Sequence, residues 1–487
     1  MNDSPPVNDS PPVNDSPPVN DSPPVNDSPT VEPLRYDRST LRTTVVHLGL
    51  GAFSRAHVFT YLDDLAAAGV TGVGVLGASL VSERTPAALT PQGCCYTLVE
   101  ASARRRRLRE IGVLTAAVGP SRRDEVRAAL ADPSTALVTV TVTEKAYGFD
   151  PVGGHLDTSH EAVAHDLAHP GEPVGVVGTL VAGLVRRRAA GAGPLTVASC
   201  DNVAGNGRML ATLVQEFAER VDPAAARWIA AEVSFPSSMV DRIVPATTDE
   251  LRAEVAAAGV RDAWPVIGEP FRQWVLEDRL GPGVPPLVAA GVQLTDDVAA
   301  WERMKLRVLN GMHSATAYLG LRLGHGTIAE VVADPATVPL LDELQSEILA
   351  VLEPPRGEDA AAYAASVRER FANPAVGHRC LQIAMDGSAK LPQRILPTVV
   401  DALDGGSPVR ALARVLAWWV AHLRRCAPGA PADPRAAELA ALVASCPDGP
   451  SLAGSLMDLP GFAPPRLRDD PSWLAALAAA IDEEGAP

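Results

Sequence analysis

The sequence predicts an α/β fold in which a mostly parallel sheet with covering helices is followed by a mainly α-helical C-terminal part. Three observations point there. Apolar, β-branched runs alternate with amphipathic stretches as far as about residue 290, the pattern of successive βαβ units. A glycine pair stands directly after the first such run. From about Asp296 the remaining apolar residues recur with helical spacing. The spacing places three segments: a tail over 1–35, an α/β domain over 36–290 and a helical domain over 291–487, with the change inside Gly281–Asp296, where GPGVPP sits.

The tail repeats NDSPPV four times from Asn2 to Val25. Paired prolines deny it helix or sheet hydrogen bonds and it has little to bury, so it is expected to be disordered. It carries six of the net negative charges (Asp3, Asp9, Asp15, Asp21, Asp27, Glu32) and no Lys or Arg before residue 33. Its N-terminus lacks a basic segment and an apolar core, so no secretory signal is expected.

Thr43–Leu48 (TTVVHL) reads as a buried strand, and Gly49-Leu50-Gly51-Ala52-Phe53-Ser54 follows it before a helix over Ala56–Ala68. Strand, Gly-x-Gly and helix in this order suit a dinucleotide pyrophosphate: the glycines allow a tight turn and close approach, and the helix start favours the anion. Gly49, Gly51, Ala52 and Phe53 are the candidate cofactor contacts; an ordinary glycine turn is the alternative. A second strand over Val73–Leu80 is followed by Glu83, the candidate partner of an adenosine ribose, and by Arg84, which would instead meet a 2′-phosphate. NAD is therefore expected, with NADP the alternative. Arg104–Arg107 reads as a solvated hairpin end.

Ala136–Thr143 is a further strand, Val174–Ala189 a helix, Leu195–Cys200 a strand and Arg208–Arg220 a helix. Between the last two lies Ser199-Cys200-Asp201-Asn202, at the carboxyl end of a strand, where open α/β sheets bind ligands. His155, His160, His165 and His169 lack the helical pairing of a zinc site and read as surface residues. Phe235–Ile243 and Asp386–Arg394 show by themselves only polar loops beside apolar runs.

A single helix is expected over Trp301–Leu323. At 100° per residue, Lys305, His313 and Asn310 fall at roughly 0°, 80° and 140°, all on one side. A lysine, an amide and an imidazole grouped in this way can move a proton, the lysine acting as base once desolvation lowers its pKa; a solvated face with a core-facing histidine is the alternative. Leu340–Leu352, Ala360–Phe371, Pro408–Arg425, Pro434–Ser445 and Ser472–Glu483 complete the helical part.

Composition narrows the function classes. Of 487 residues, 58 are Asp or Glu against 42 Lys or Arg, a net charge of −16, which repels phosphate backbones and argues against general nucleic-acid binding. No run of 18 apolar residues occurs, so no membrane-spanning helix is expected. Six scattered cysteines without a CxxC pair suggest neither a disulfide framework nor a metal knuckle, and a reducing cytoplasm is the default.

Seven strings stand in one order: HLGLGAFSRAH, TVTEKAYG, SCDNVAGNG, FPSSMVDRIVPATT, FRQWVLED, ERMKLRVLNGMHSATAYLG and DGSAKLPQR. Together they resemble the mannitol dehydrogenase family, the polyol-specific long-chain dehydrogenases and reductases, densely from about Val45 to Arg394. The resemblance implies a Rossmann-type N-terminal domain, a mainly helical C-terminal domain, and metal-independent, NAD(P)-linked hydride transfer on a small carbohydrate by a monomer or small homo-oligomer. It implies that Lys305 is the general base, that Asn310 and Asn202 stabilise the alkoxide, that His313 orients substrate, that Glu302 passes the proton to solvent and that Lys390 contacts substrate. Gln382 and the wording LNGMHSATAYLG lean toward the fructuronate reductase (mannonate oxidoreductase) branch. Mannitol 2-dehydrogenase, an arabinitol or sorbitol dehydrogenase, and a catalytically inactive cofactor-binding sensor are the other readings. Ser54 departs from the family, which usually has histidine there.

Overall fold

The computed structural model describes residues 31–150, 153–426 and 433–485; residues 1–30 of the repeat tail lie outside them. The six strands of the central sheet are β1 (Thr43–Leu48), β2 (Gly74–Ala78), β3 (Leu114–Val118), β4 (Leu137–Val140), β5 (Leu195–Ser199) and β6 (Val233–Ser234), in spatial order β3-β2-β1-β4-β5-β6. Every pairing is parallel. This is the 3-2-1-4-5-6 order of a Rossmann-type sheet, whose ligand crevice opens at the carboxyl ends beside β1 and β4, where the order reverses.

Alternation along the strands sets the two faces. Val46 and Leu48 of β1 join Val138 and Val140 of β4 in a core closed by α3 (Arg123–Ala131), α4 (Val176–Ala190) and α5 (Asn206–Val221). Val45 points to the opposite core with Val75, Leu114 and Leu137, closed by Phe59 and Leu62 of α2 (Val58–Ala67). His47, fully buried, bonds through Nδ1 to Thr139 Oγ1 at 2.8 Å and through Nε2 to Gly49 O at 3.0 Å, and burial pulls its pKa down to about 4. It therefore braces the glycine turn as a neutral ring.

Several sequence expectations need correction. The tail does not extend to residue 35: Val31–Glu32 pairs in parallel with Leu108 and Arg109, extending the Tyr96–Ala101/Arg106–Ile111 hairpin. Glu32 is held there by Arg107 at 2.6 Å, so that arginine of the basic run is neutralised. The helix expected over Ala56–Ala68 is two, α1 (Ala52–Ala56) and α2, broken at His57, whose φ of −116° and ψ of −76° leave the helical path. The segment Trp301–Leu323 is α6 (Val298–Met304), a π-helical turn over Lys305–Gly311, and α7 (Met312–Leu323).

A three-stranded sheet of β7 (Ser238–Asp241), β8 (Gln273–Glu277) and β9 (Gln293–Thr295) stands between the Rossmann-type sheet and the helices, and β9 continues sheet pairing past residue 290. The expected helices then follow, among them α8 (Ala360–Phe371); α9 (Gly387–Arg394) is a helix where the sequence showed only a polar loop, and α10 (Arg410–Arg425) and α11 (Pro471–Gly485) again match the expected pattern. On α10 the buried Leu412, Val415, Leu416, Trp419, Val420 and Leu423 recur every three or four residues and form one apolar face. Each such side chain contributes about 1.5–3 kcal/mol on burial. Trp419 stacks on Phe462, with ring centroids 5.5 Å apart. Among the described residues no helix is long and apolar enough to cross a membrane, and no group of three or more His, Cys, Asp or Glu side chains is placed to hold a metal ion.

Candidate active site

The chain leaves β1 through Gly49, whose φ is +102°; a Cβ there would stand 1.8 Å from Thr141 O. Only glycine lets β1 and β4 meet so closely at this turn. Gly51 differs: the nearest atom to an added Cβ is Gly49 O at 3.8 Å, so this side of the loop is open. Ser54 Oγ, fully buried, accepts from Gly51 N at 3.1 Å and lies 3.2 Å from Gly49 O. The hydroxyl thus ties the turn to α1. The amides of Ala52 and Phe53, first in α1, have no backbone acceptor among the described residues, as amides at a helix start do. An open glycine, unpaired amides and the end of β1 together fit a pyrophosphate.

Glu83 stands five residues beyond β2, exposed, and accepts from Ser121 N at 2.7 Å; that hydrogen bond holds its carboxyl below the usual range. Arg84 lies over the Trp264 ring, 4.7 Å from its centroid.

At the carboxyl end of β5, Asn206 fixes the polar loop: its Nδ2 donates to Asp201 O and Ser238 O, both at 2.9 Å, and its Oδ1 accepts from Ser238 N at 2.9 Å. The loop presents Asn202 toward the π turn. Lys305 Nζ donates to Asn202 Oδ1 at 2.7 Å and to Val240 O at 2.6 Å. Hydrogen bonding from i to i+5 brings residues five apart nearly above one another, so Lys305 and Asn310 lie closer together than the 140° expected from an α-helix. Both border a cavity of about 350 Å³ that also touches Asn202, Asp241, Arg394 and Phe53 of the glycine loop. Gly311 lets the turn pack against α9, since a Cβ there would be 3.1 Å from Arg394 O.

Burial pulls the Lys305 ammonium pKa down, opposed by Asp241 and reinforced by Arg370 and Arg394. Asp241 is shared with the helical part: Arg370 of α8 donates to both its oxygens at 2.7 and 2.8 Å and to Glu269 Oε1 at 2.8 Å, and Tyr363 Oη donates at 3.1 Å. Burial would raise the Asp241 pKa, but the Arg370 guanidinium outweighs it and holds the group ionised. Behind Lys305, Glu302 accepts from Gly205 N at 3.0 Å, and burial pushes its pKa up. Glu302 and Lys305 border a second cavity of about 20 Å³, room for one water.

The structure thus brings Lys305, Asn310, Asn202 and Glu302 together. His313 packs a turn away, stacked on Phe371 at 4.9 Å with His378 at 5.0 Å; its buried Nε2 has no partner among the described residues, and burial keeps the ring neutral. Lys390 lies on α9, half-buried, with Nζ 3.3 Å from Ile383 O, and does not border the large cavity. Sequence reasoning missed the Val240 carbonyl, Asp241, Arg370 and Arg394. Asp241 and Arg242 carried a signal, two charges inside the apolar run SMVDRIV; a backbone carbonyl leaves none, because any residue supplies it.

Residues 43–287 match the model of the mannitol dehydrogenase Rossmann domain, and residues 297–451 that of the mannitol dehydrogenase C-terminal domain. D-mannonate oxidoreductase of Escherichia coli K12 is 38% identical over 462 residues, covering 92% of this chain and 94% of the relative. Mannitol 2-dehydrogenase of Phaeosphaeria nodorum is 36% identical, covering 92% and 80%. The ternary complex of Pseudomonas fluorescens mannitol 2-dehydrogenase with NAD and D-mannitol superposes with a TM-score of 0.80 at 32% identity, covering 93% and 94% of the two chains. A substrate-free D-sorbitol dehydrogenase superposes at 0.85 with 29% identity, covering 93% and 95%. With both domains matched over more than half its length, the chain belongs to the mannitol dehydrogenase family of oxidoreductases.

Proposed function

We propose that this protein is an NAD-dependent dehydrogenase that interconverts a secondary alcohol of a hexonate and the matching keto-uronate, of the D-mannonate/D-fructuronate type. One observation carries the chemistry: Lys305 Nζ is buried between two neutral acceptors, Asn202 Oδ1 and Val240 O, at a cavity shared with the glycine loop. An amine so placed is neutral at lower pH than a solvated lysine and can take a proton. The leaning to a hexonate rests on the likeness to D-mannonate oxidoreductase over nearly the whole of both chains.

Gly49, Gly51, Ala52 and Phe53 would hold the NAD pyrophosphate, with Glu83 toward the ribose, and the cofactor when bound would supply the hydride acceptor. Lys305 accepts the substrate hydroxyl proton. Asn202, whose Oδ1 is engaged by Lys305, keeps its Nδ2 to donate to the developing alkoxide, and Asn310 donates from the π turn; such fixed donors stabilise charge as it forms. Glu302, across the water-sized cavity, relays the proton outward. His313 Nε2, without a partner among the described residues, binds a substrate hydroxyl as a neutral ring; Lys390 does not border the cavity and keeps only the substrate contact that the family resemblance implies.

The test is a reduction screen of fructose, fructuronate, tagaturonate and xylulose with NADH and NADPH. Fastest turnover of fructuronate with NADH supports the reading. Preference for fructose moves the enzyme to the mannitol 2-dehydrogenase reading, and no turnover with any of the four overturns the assignment.

A further inference from the structure

Three charged side chains bordering the large cavity are held by strong partners. Asp241 has Arg370. Arg242 donates to Glu100 Oε1 and Glu269 O, each at 2.8 Å, and to Ala56 O. Asp201 accepts from Tyr147 Oη at 2.6 Å and Val142 N at 2.9 Å. Lys305, the proposed base, and Arg394, at the end of α9, are the two cations of the lining that meet only neutral acceptors, and Arg394 alone of the two has no part in the proton transfer. Its Nη1 reaches Ser314 Oγ at 3.1 Å and Asn310 O at 3.4 Å, both neutral, and no carboxylate forms an ion pair with it among the described residues.

A guanidinium has five N–H donors in a planar fork. With Nη1 spent on Ser314 and Asn310, the Nε–Nη2 edge has no hydrogen-bond partner among the described residues. Arg394 is half-buried, and a carboxylate docked side-on against two parallel N–H groups gives a guanidinium its strongest, charge-assisted pairing. The anchor is also close to the chemistry, because Asn310 belongs to the turn that carries Lys305.

We propose that Arg394 is a specificity-determining residue of this site: its free edge binds the substrate carboxylate and selects keto-uronates and hexonates over neutral ketoses and polyols. This rests on the hexonate reading above and assigns it to one side chain. The carboxylate end of the substrate then lies toward α9 and the reacting carbon toward Lys305.

The experiment compares kcat/KM for D-fructuronate and D-fructose, which differ by a carboxylate in place of a hydroxymethyl group, in the unmodified enzyme, Arg394→Gln and Arg394→Lys. A charge-assisted bidentate pair corresponds to a change of roughly 10–100-fold. In the unmodified enzyme the ratio of the two kcat/KM values favours D-fructuronate. Arg394→Gln lowers that ratio about 100-fold, mainly through KM for D-fructuronate. Arg394→Lys keeps the charge, loses the fork and lowers it about tenfold; it also serves as the reading if the glutamine variant does not fold. A preference for D-fructuronate that both variants retain overturns the role of Arg394 and leaves the hexonate reading standing. An unmodified enzyme without that preference overturns both and leaves a neutral-polyol dehydrogenase.

Discussion

Lys305 Nζ lies 2.7 Å from Asn202 Oδ1, although 103 residues separate them and one belongs to the helical part, the other to the loop after β5. The bond joins the two halves of the molecule at the point where the proposed base meets a proposed alkoxide donor. Its partner on the other side, the Val240 carbonyl, comes from a third element, β7. A base anchored from three elements loses little freedom when substrate binds, and it stands ready beside the donors.

Lys305→Ala is expected to lower kcat for alcohol oxidation by about 10²–10⁴-fold, the usual contribution of a positioned base, while NAD affinity, measured by fluorescence titration, stays within about threefold. Small primary amines partly restore the rate. In the unmodified enzyme the rising limb of the oxidation pH profile lies below the ordinary lysine value, because burial favours the neutral amine; in the variant that limb disappears. Near-normal kcat with the limb intact would assign the proton to another group. Dialysis against a strong chelator is expected to leave turnover of the unmodified enzyme unchanged.

Arg370→Leu removes the cation that matches Asp241 and Glu269. Breaking a buried pair on one side costs about 3–5 kcal/mol, read as a lower denaturant midpoint. The pH profile carries the more specific outcome. Arg370 depresses the Lys305 pKa and Asp241 raises it; without Arg370 the first influence is lost and the second is no longer offset, so the rising limb moves to higher pH. Arg370→Lys restores part of both changes. A limb that stays in place in a folded variant would show that the triad is purely structural.

The two glycines of the loop separate fold from ligand. Gly49→Ala places a methyl group against Thr141 O at a φ of +102°, and is expected to destabilise the protein by about 1–3 kcal/mol from backbone strain alone. Gly51→Ala has open space and an ordinary φ of −104°, so its melting temperature stays within about 2 °C while KM for NAD rises at least fivefold, about 1 kcal/mol of binding. Unchanged KM in a folded Gly51→Ala protein would place the pyrophosphate elsewhere.

Glu83 is exposed and ionised, held in place by Ser121 N. Its charge opposes a 2′-phosphate, so NADH is preferred and Glu83→Gln narrows the NADH/NADPH ratio of kcat/KM by roughly 3–10-fold, less at high salt because exposed charges are screened. A ratio that does not move directs attention to Arg84, which leaves the Trp264 ring to meet the phosphate.

By itself the sequence determined the order of strands and helices, the glycine turn after β1 and the grouping of Lys305 with Asn310. These rest on local periodicity and on residue types, such as glycine at a positive φ, that few alternatives replace. It did not determine the break at His57, the pairing of Val31–Glu32 with the hairpin, or the π turn. Each follows from contacts with distant segments: His57 against Trp274, Glu32 against Arg107, Gly311 against Arg394. The same holds for the chemistry around the lysine. Asp241, Arg370 and Arg394 are unremarkable charges along the chain, and their meaning depends on which of them finds a partner once buried. Only tertiary packing decides that, because the cost of desolvating a charge and the gain from matching it are properties of the folded surroundings. It matched Asp241 with Arg370, lowered the pKa of Lys305, and left one edge of Arg394 open to the cavity.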